Sequence, residues 1–282
     1  MPPEPSPPTL TAPTGPAADR RRRPRWWVEV GLVLVFYGVY SAVRNRFGSA
    51  LGEAARLEAL HNAERVIDLE RALGLFHEEA VQALFEGWGL FLWFWNVFYG
   101  FFHFAVTIGV MVWLFTRWPE RYLRWRSTLA ATTALALIGF AAFPLMPPRL
   151  LTDCGTYGGC LDTYTFVDTL VVHGGLWSFD SGTMQSISNQ YAAMPSLHIA
   201  WATWCTLALW PVVGLRGRIL AAVYPLCTLF AIVVTANHYW IDAVGGLIVL
   251  AGGIALGRPL TRVLPGLADA APRARRGAAP RD

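Results

Sequence analysis

The 282-residue sequence contains no lysine and is poor in charge of either sign. Charged residues make up 15% of the chain, whereas a soluble domain usually carries about 25%. The net charge is only +4, and the arginines lie beside apolar segments, which argues against nucleic-acid binding. The sequence also lacks a Gly-rich phosphate loop, a G-x-S-x-G motif and a carboxylate cluster typical of Mg²⁺ sites. We therefore expect no cofactor and no metal ion.

The sequence does contain long hydrophobic runs. Hydrophobic residues form 54% of the chain, and many of the 13 Trp and 16 Phe lie near the ends of apolar runs, as in membrane-interface belts. A membrane-spanning helix needs roughly 20 apolar residues. Six runs predict an all-α, polytopic membrane protein with a six-transmembrane-helix bundle, although the third run is short and needs its Thr residues and flanks to span. The runs are Trp26–Val43, Leu90–Phe115, Thr128–Phe143, Leu197–Val213, Ile219–Ala236 and Tyr239–Gly257.

The composition between the runs predicts the domain organisation. Residues 1–25 read as a disordered basic tail, residues 26–260 as the six-span membrane domain and residues 261–282 as a disordered C-terminal tail. Residues 47–87 show helical periodicity with many acidic residues, which predicts interfacial amphipathic helices; a helical hairpin of the soluble type is an equal alternative. Residues 147–194 are rich in Gly, Thr and Asp and predict an irregular extracytoplasmic loop.

The positions of the arginines predict the orientation of the spans. Cytoplasmic segments of membrane proteins carry an excess of basic residues. With the N-terminus in the cytoplasm, 17 of the 23 arginines fall in inside segments and six in outside segments. The chain is then a multi-pass cell-membrane protein with both termini in the cytoplasm. The first run also has the basic flank of a signal peptide, but its length favours an uncleaved anchor.

Three short motifs place polar residues at the ends of the apolar runs. They are P-P-R at Pro147–Arg149, A-A-M-P-S-L-H at Ala192–His198 and N-H-Y-W-I-D at Asn237–Asp242. Between His198 and His238 the chain crosses twice, and each crossing covers roughly 25 Å at 1.5 Å per residue, close to one hydrocarbon thickness. Both histidines therefore emerge at one face, and Arg149 emerges there too. The arginine distribution makes that face extracytoplasmic.

The residue types in these motifs favour phosphate chemistry. Pro195 suits the first turn of a helix, whose free N–H groups bind phosphate, and the Ser196 hydroxyl adds a donor. Asn237 suits an N-cap for the sixth span. His238 and Asp242 are four residues apart and share a helix face. A carboxylate that holds one imidazole nitrogen leaves the other free as a nucleophile or base.

Other polar residues give weaker signals. Asn96, Tyr99 and His103 recur at helical spacing in the second span, where helix–helix hydrogen bonding is favoured over a functional role. Cys154 and Cys160 flank G-T-Y-G-G in the outside loop. A disulfide between them is expected in an oxidising compartment, and two free thiols are the alternative.

The histidine motifs resemble those of the type 2 phosphatidic-acid phosphatase superfamily, which includes the vanadium haloperoxidases. P-S-L-H, followed two spans later by H-Y-W-I-D, carries the resemblance, which covers roughly residues 30–257. The preceding A-A-M, the N-H-Y-x-x-D form of the last motif and the P-P-R element are more similar to the inositol-phosphorylceramide synthase-like (inositolphosphotransferase) branch. The stretch E-R-A-L-G-L-F-H-E at Glu70–Glu78 is also similar to that branch.

The resemblance implies a six-helix membrane core and a metal-independent reaction through a phosphohistidine. His238 would attack phosphorus while Asp242 holds it, and His198 would protonate the leaving oxygen and then deprotonate the acceptor. Arg149 and Ser196 would stabilise the phosphoryl oxygens. The substrate would be a phospholipid or a polyprenyl- or sphingolipid-type phosphate in the bilayer.

The sequence departs from the hydrolases of that superfamily at three positions. Ala142 stands where they commonly carry Lys, Leu197 where they carry Gly, and Ile232 where they carry Arg. Unless other groups replace the two missing cations, a singly charged diester is favoured over a dianionic monoester. Transfer of a phospho-head-group to an alcohol is then slightly favoured. The alternatives are a lipid-phosphate hydrolase of the same superfamily and a non-catalytic lipid-binding or transport module.

Overall fold

A computed structural model describes residues 26–47, 52–176 and 189–269 of the chain. The predicted tail at residues 1–25 lies outside the described residues, as do residues 270–282 of the predicted C-terminal tail and residues 177–188 of the predicted loop. The described residues form an all-helical structure, in which the only strand-like pairing is a single parallel bridge between Leu145 and Ala192.

The helices follow one another along the chain with short connections, apart from the longer segments before and after α6, of which residues 177–188 are not described. In order they are α1 (Trp26–Phe47), α2 (Glu53–Ala72), α3 (Glu78–Ala83), α4 (Gly89–Arg117), α5 (Pro119–Ala142), α6 (Thr169–His173), α7 (Leu197–Leu209), α8 (Leu215–Val234) and α9 (Trp240–Asp269). Helix α4 contains one π-helical turn at Phe98–Phe102. A 3₁₀ turn, Pro148–Leu150, lies in the loop between α5 and α6.

Each predicted apolar run falls on one of these helices, although the described residues do not show all six runs as membrane spans. Helix α4, helix α8 and Trp240–Thr261 of α9 are long and apolar enough to cross a membrane. Trp26–Ala42 of α1 and all of α7 are shorter apolar helices. Helix α7 has 13 residues and stops before the predicted end at Val213, since a residue that precedes proline, here Trp210, is disfavoured in a helix. Six crossings therefore stay a prediction.

Helix α9 ends later than the sequence indicates. It runs to Asp269, into the segment from residue 261 that was predicted as a disordered tail. Hydrophobic residues continue past residue 260 in the sequence, which is consistent with a longer helix. The helix therefore continues past residue 260, while its apolar span ends at Thr261, and the division into a membrane domain and a tail stays a prediction.

Glycines in α9 allow this helix to approach its neighbours closely. A Cβ at Gly253 or Gly257 would collide with Thr132 or Thr128 of α5, so these backbones touch in the manner of small-residue membrane-helix contacts. A Cβ at Gly246 would collide with the backbone carbonyl of Ser196. This second contact fixes the start of α9 against the start of α7, which sets the two histidine motifs in register.

Helix α2 packs its apolar face against the segment that carries P-P-R. Ala59, Ala63 and Ile67 are fully buried in one core cluster with Leu145 and Met146. Two hydrogen bonds reinforce the contact, from Asn62 Nδ2 to the Pro144 carbonyl at 2.9 Å and from Met146 N–H to the Ala59 carbonyl at 3.1 Å. The opposite face of α2 exposes leucines and acidic residues. One side of this amphipathic helix is thus part of the protein core.

Cys154 and Cys160 form a disulfide in the loop between α5 and α6. The turn that it closes is held by Arg56 of α2, whose Nη1 donates to the Gly158 carbonyl at 3.0 Å. The Tyr191 hydroxyl donates to the Tyr157 carbonyl at 3.1 Å from the other side. The disulfide turn therefore connects α2 to the segment before α7.

Candidate active site

Backbone hydrogen bonds bring the three sequence motifs together at one end of the bundle. Arg149 N–H donates to the Ala236 carbonyl at 2.8 Å, and Ser196 N–H donates to the Asp242 carbonyl at 3.0 Å. The Tyr239 hydroxyl also donates to the carbonyl of Met146 at 3.1 Å. The N-H-Y-W-I-D segment is thus joined to P-S-L-H by a main-chain hydrogen bond, and P-P-R is joined to the residue that precedes N-H-Y-W-I-D.

The chain reaches His238 through a tight turn at the end of α8. Asn237 N–H donates to the Ile232 carbonyl at 3.0 Å and Ala236 N–H to the Val233 carbonyl at 2.9 Å, which together form a Schellman motif. Ala236 adopts φ 53° at the position where glycine is usual, so this turn is held in a disfavoured conformation. The Asn237 side chain does not cap α9, contrary to the sequence prediction, because α9 begins only at Trp240.

His238 is held by the carboxylate that the sequence predicts. Its Nδ1 lies 3.2 Å from Asp242 Oδ2, and the His238 and Asp242 side chains are both buried. The same Oδ2 accepts the Tyr239 N–H at 3.0 Å, so this carboxylate also caps the first turn of α9. When Nδ1 carries the proton and donates a hydrogen bond to the carboxylate, the lone pair of the ring is on Nε2. That nitrogen is then the nucleophilic atom of His238.

His198 lies beside His238, with the two ring centroids 5.5 Å apart. The Tyr99 ring stacks on His198 at a centroid distance of 4.3 Å, and the His103 ring lies 4.2 Å from it on the next turn of α4. Tyr99 belongs to the π-helical turn, and its carbonyl accepts a hydrogen bond from His103 Nδ1 at 2.9 Å. Such turns recur at functional sites. Tyr99 and His103, which the sequence favours as helix-packing groups, thus line the histidine pair.

Three polar atoms in this region have no hydrogen-bond partner among the described residues. They are Ser196 Oγ, His198 Nε2 and Asp242 Oδ1, and all three are shielded from solvent. Buried polar atoms are nearly always hydrogen-bonded in folded proteins, so a group of them marks a place where a polar ligand is expected. Ser196 is fully buried beside the histidine pair.

The start of α7 differs from the sequence prediction. The helix begins at Leu197, with Ser196 as the N-cap, so Pro195 precedes the cap instead of occupying the first turn. The Ser196 side chain makes no capping hydrogen bond. Its hydroxyl therefore remains available as a donor, which agrees with the role that the resemblance implies.

Arg149 is buried and is oriented by three side chains from different parts of the chain. Its Nε donates to Asn237 Oδ1 at 3.0 Å, its Nη1 to Asp168 Oδ2 at 2.6 Å and its Nη2 to Gln190 Oε1 at 2.7 Å. A guanidinium has five N–H groups, and the described residues accept from three of those of Arg149. The Asn237 amide is itself fixed, because its Nδ2 donates to the Thr235 carbonyl at 3.1 Å. Asp168 offsets the charge of Arg149 within the site.

Asp168 and Gln190 were not singled out from the sequence. Asp168 is the N-cap of α6, where its Oδ1 accepts the N–H groups of Leu170 and Val171. An aspartate before a short apolar run is a recognisable capping signal, but nothing local connects it with Arg149. Asn96 of α4 holds the same short helix through hydrogen bonds to Thr169 and Gly174. Its contacts are thus with the loop, and not with another long helix.

Among the described residues, no group of three or more His, Cys, Asp or Glu side chains is arranged to hold a metal ion. The expectation that the reaction needs no metal stays a prediction.

The fold and the site define a membrane-type helical protein in which two histidine motifs meet beside a buried arginine. A family model described as PAP2 superfamily matches residues 64–256, more than half of the chain, and the chain belongs to that superfamily. Its members are usually metal-independent phosphatases, and their substrates are phosphoesters, often lipid phosphates. No curated protein and no solved structure matches significantly. The finer resemblance to the inositol-phosphorylceramide synthase-like branch therefore stays a prediction.

Proposed function

We propose that this protein is an integral membrane enzyme that acts on a lipid phosphoester through a phosphohistidine on His238. The observation that carries the proposal is the pairing of the His198 and His238 rings at 5.5 Å, with Asp242 behind His238. Such a pair supplies a nucleophile and a general acid within reach of one phosphoryl group. The proposed location of the site is the extracytoplasmic end of the bundle.

The proposed reaction has two steps. In the first, His238 Nε2 attacks phosphorus, the bond from phosphorus to the leaving oxygen breaks, and protonated His198 gives its proton to that oxygen. In the second, an acceptor hydroxyl attacks phosphorus, the phosphorus–nitrogen bond breaks, and His198 takes the hydroxyl proton. Arg149 and Ser196 Oγ would stabilise the phosphoryl oxygens as charge accumulates on them.

We further propose that the substrate is a phosphodiester and that an alcohol is the acceptor. The ion pair with Asp168 offsets the charge of Arg149, and two cations of the superfamily's hydrolases are replaced by Ala142 and Ile232. A site with so little net positive charge suits a monoanionic diester better than a dianionic monoester. A phospholipid that donates its phospho-head-group has this charge, and the inositolphosphotransferase resemblance supports the same choice.

Labelled lipids test the proposed reaction directly. The detergent-purified protein is incubated with phospholipids labelled in the phospho-head-group, with and without inositol or another alcohol. We expect a new labelled phosphodiester that forms only with the alcohol, at a rate unchanged by a chelator. Release of labelled head group into water alone would support hydrolysis instead, and lipid movement between leaflets without ester chemistry would support a transport module. A strict Mg²⁺ requirement would contradict the proposed mechanism.

The Asp168→Asn variant tests the charge argument. Removing the carboxylate raises the positive charge near Arg149, so we expect the ratio of kcat/KM for monoester over diester to rise about tenfold, or about 1.4 kcal/mol. The ratio is measured with a lipid phosphate and its methyl diester. Asp162→Asn, on an exposed part of the same loop, is the matched control and should leave the ratio unchanged. An unchanged ratio in Asp168→Asn would show that Asp168 does not set the charge preference.

A further inference from the structure

The N-terminus of α9 is held by three carboxyl groups. Three consecutive N–H groups each donate to a different one: Tyr239 to Asp242 at 3.0 Å, Trp240 to Glu78 at 3.2 Å and Ile241 to Glu70 at 2.8 Å. The first N–H groups of a helix have no partner within it, and negative charge there also interacts favourably with the helix dipole. Glu70 is the last buried residue of α2 and Glu78 starts α3. A distant part of the chain thus fixes the turn that follows His238.

Glu70 and Glu78 also contact each other. Both residues are fully buried, and each uses its Oε1 for the helix. With both carboxyl groups ionised, neither Oε2 atom has a hydrogen-bond partner among the described residues, and a hydrogen bond between the two side chains contributes to the raised pKa of Glu70. Two ionised carboxylates are acceptors only, so a hydrogen bond between them requires a proton on one.

The environment keeps that proton on Glu70. Burial, followed by the hydrogen bond with Glu78, raises the pKa of Glu70 from 4.5 to about 9. The negative charges of Glu78 and Asp242 act in the same direction, and the Ile241 N–H acts against them. Tyr164 and Tyr239 are the tyrosines that face this carboxyl cluster. At neutral pH Glu70 is therefore neutral and donates to Glu78.

We propose that Glu70 and Glu78 form a proton-sharing carboxyl pair that positions His238 and Asp242 by holding the first turn of α9. The consequence for turnover rests on the proposed function, whereas the hydrogen-bonding arrangement does not. The pair requires one donor and one acceptor between its two Oε2 atoms, while both Oε1 atoms accept from the helix. Glu70 and Glu78 are therefore positioning residues that act through the backbone of α9.

Glutamine substitutions distinguish a carboxyl pair that shares one proton from two carboxylates that accept hydrogen bonds independently. In Glu70→Gln the amide donates to Glu78 as the protonated acid does, and in Glu78→Gln the amide donates to an ionised Glu70. Each single variant keeps one donor facing one acceptor. In the double variant two amide NH₂ groups face each other, or one helix N–H loses its acceptor. We therefore expect mild effects of the single changes and a double effect much larger than their sum.

The pH dependence of stability gives a second readout. A group whose pKa is higher in the folded state stabilises the fold at low pH, and this contribution is lost as pH rises to the folded value. The contribution of Glu70 is complete below about pH 4.5, declines above it and is absent above about pH 9. Glu70→Gln cannot lose a proton. The melting temperature of this variant relative to wild type should therefore increase steadily from about pH 5 to about pH 9.

The experiment compares the full-length protein and the three variants in detergent by thermal unfolding, hydrogen exchange and steady-state kinetics. Glu58→Gln, on the exposed face of α2, is the matched control. In the double variant we expect faster hydrogen exchange in the peptide that contains residues 239–245, and a lower kcat with KM little changed. The single variants should retain most of the wild-type exchange protection and most of the wild-type kcat.

The outcomes separate this inference from the proposed function. Additive effects of the two substitutions, or a difference between Glu70→Gln and wild type that is independent of pH, would overturn the carboxyl pair. The predicted pattern in stability and exchange, found in a protein without phosphoester activity, would support the pair and refute the proposed function. A double variant as stable as Glu58→Gln would also overturn the pair.

Discussion

Replacing His238 with alanine should lower turnover of a lipid phosphodiester by at least about 10⁴-fold, because the proposed covalent intermediate cannot form without its imidazole. The free Nε2 of His238 is the nucleophile in the proposed reaction, and Asp242 fixes the ring through Nδ1 at 3.2 Å. Loss of a covalent nucleophile removes both steps of the reaction, so the residual rate should approach the rate of the uncatalysed reaction in water. The measurement is the steady-state rate in mixed micelles.

Controls separate chemistry from folding in this variant. His238 is buried, so alanine leaves a small cavity, and the melting temperature and elution volume are measured alongside the rate. His238→Gln, which fills most of the same space, should be equally inactive. His61→Ala, at an exposed histidine of α2, should retain wild-type turnover. A folded His238→Ala or His238→Gln protein with substantial activity would rule out His238 as the nucleophile.

Replacing His198 with alanine should lower turnover of the same lipid by about 10²- to 10⁴-fold, as is usual when a general acid–base group is lost. The loss should depend on the leaving group. A phosphodiester with p-nitrophenol as leaving group needs little protonation, so its first step should be affected much less than that of the lipid. The measurement is the burst of p-nitrophenol in a rapid-mixing experiment, compared with the burst of wild type.

The second step of the reaction also distinguishes the His198→Ala variant from wild type. Without His198 no base activates the acceptor, so the phosphoenzyme should accumulate after the burst. A smaller effect is expected for His103→Ala, which removes a neighbour of His198 and leaves the acid–base group itself in place. Equal losses of the burst for activated and lipid leaving groups would contradict the role of His198 as the acid.

Much of the site follows from simple properties of the sequence. Helix rise and bilayer thickness predict that His198 and His238 reach one end of the bundle, and the structure brings their rings to 5.5 Å. The four-residue spacing predicts the contact of His238 with Asp242, and the structure has it. The first inference needs only the length of regular helices, whereas the second contact forms although His238 precedes Trp240, the first residue of α9. Membership of the PAP2 superfamily, predicted from the same motifs, is confirmed.

The remaining features depend on contacts that join distant parts of the chain. Arg149 is oriented by Asp168, Gln190 and Asn237, from 19 to 88 residues away, and no local pattern predicts these pairings. The predicted N-cap role of Asn237 is wrong because the turn at Ala236 delays the start of α9 to Trp240. A left-handed alanine is not a usual turn signal.

The roles of Tyr99, His103, Glu70 and Glu78 also depend on tertiary structure. The spacing of Tyr99 and His103 is compatible with ordinary helix packing, and only the position of α7 shows that they line His198. The similarity of the E-R-A-L-G-L-F-H-E stretch to one branch of the superfamily draws attention to Glu70 and Glu78. It does not indicate that their carboxyl groups meet at the N-terminus of α9.

Trapping the covalent intermediate tests the central mechanism most directly. Purified wild type and His198→Ala are mixed with a diester labelled at phosphorus, quenched in alkali and digested, and the peptides are analysed by mass spectrometry. We predict an acid-labile phosphoryl adduct on His238, more abundant in His198→Ala and absent from His238→Ala. Turnover of the diester without any adduct on His238, or with the adduct on another residue, would contradict the mechanism.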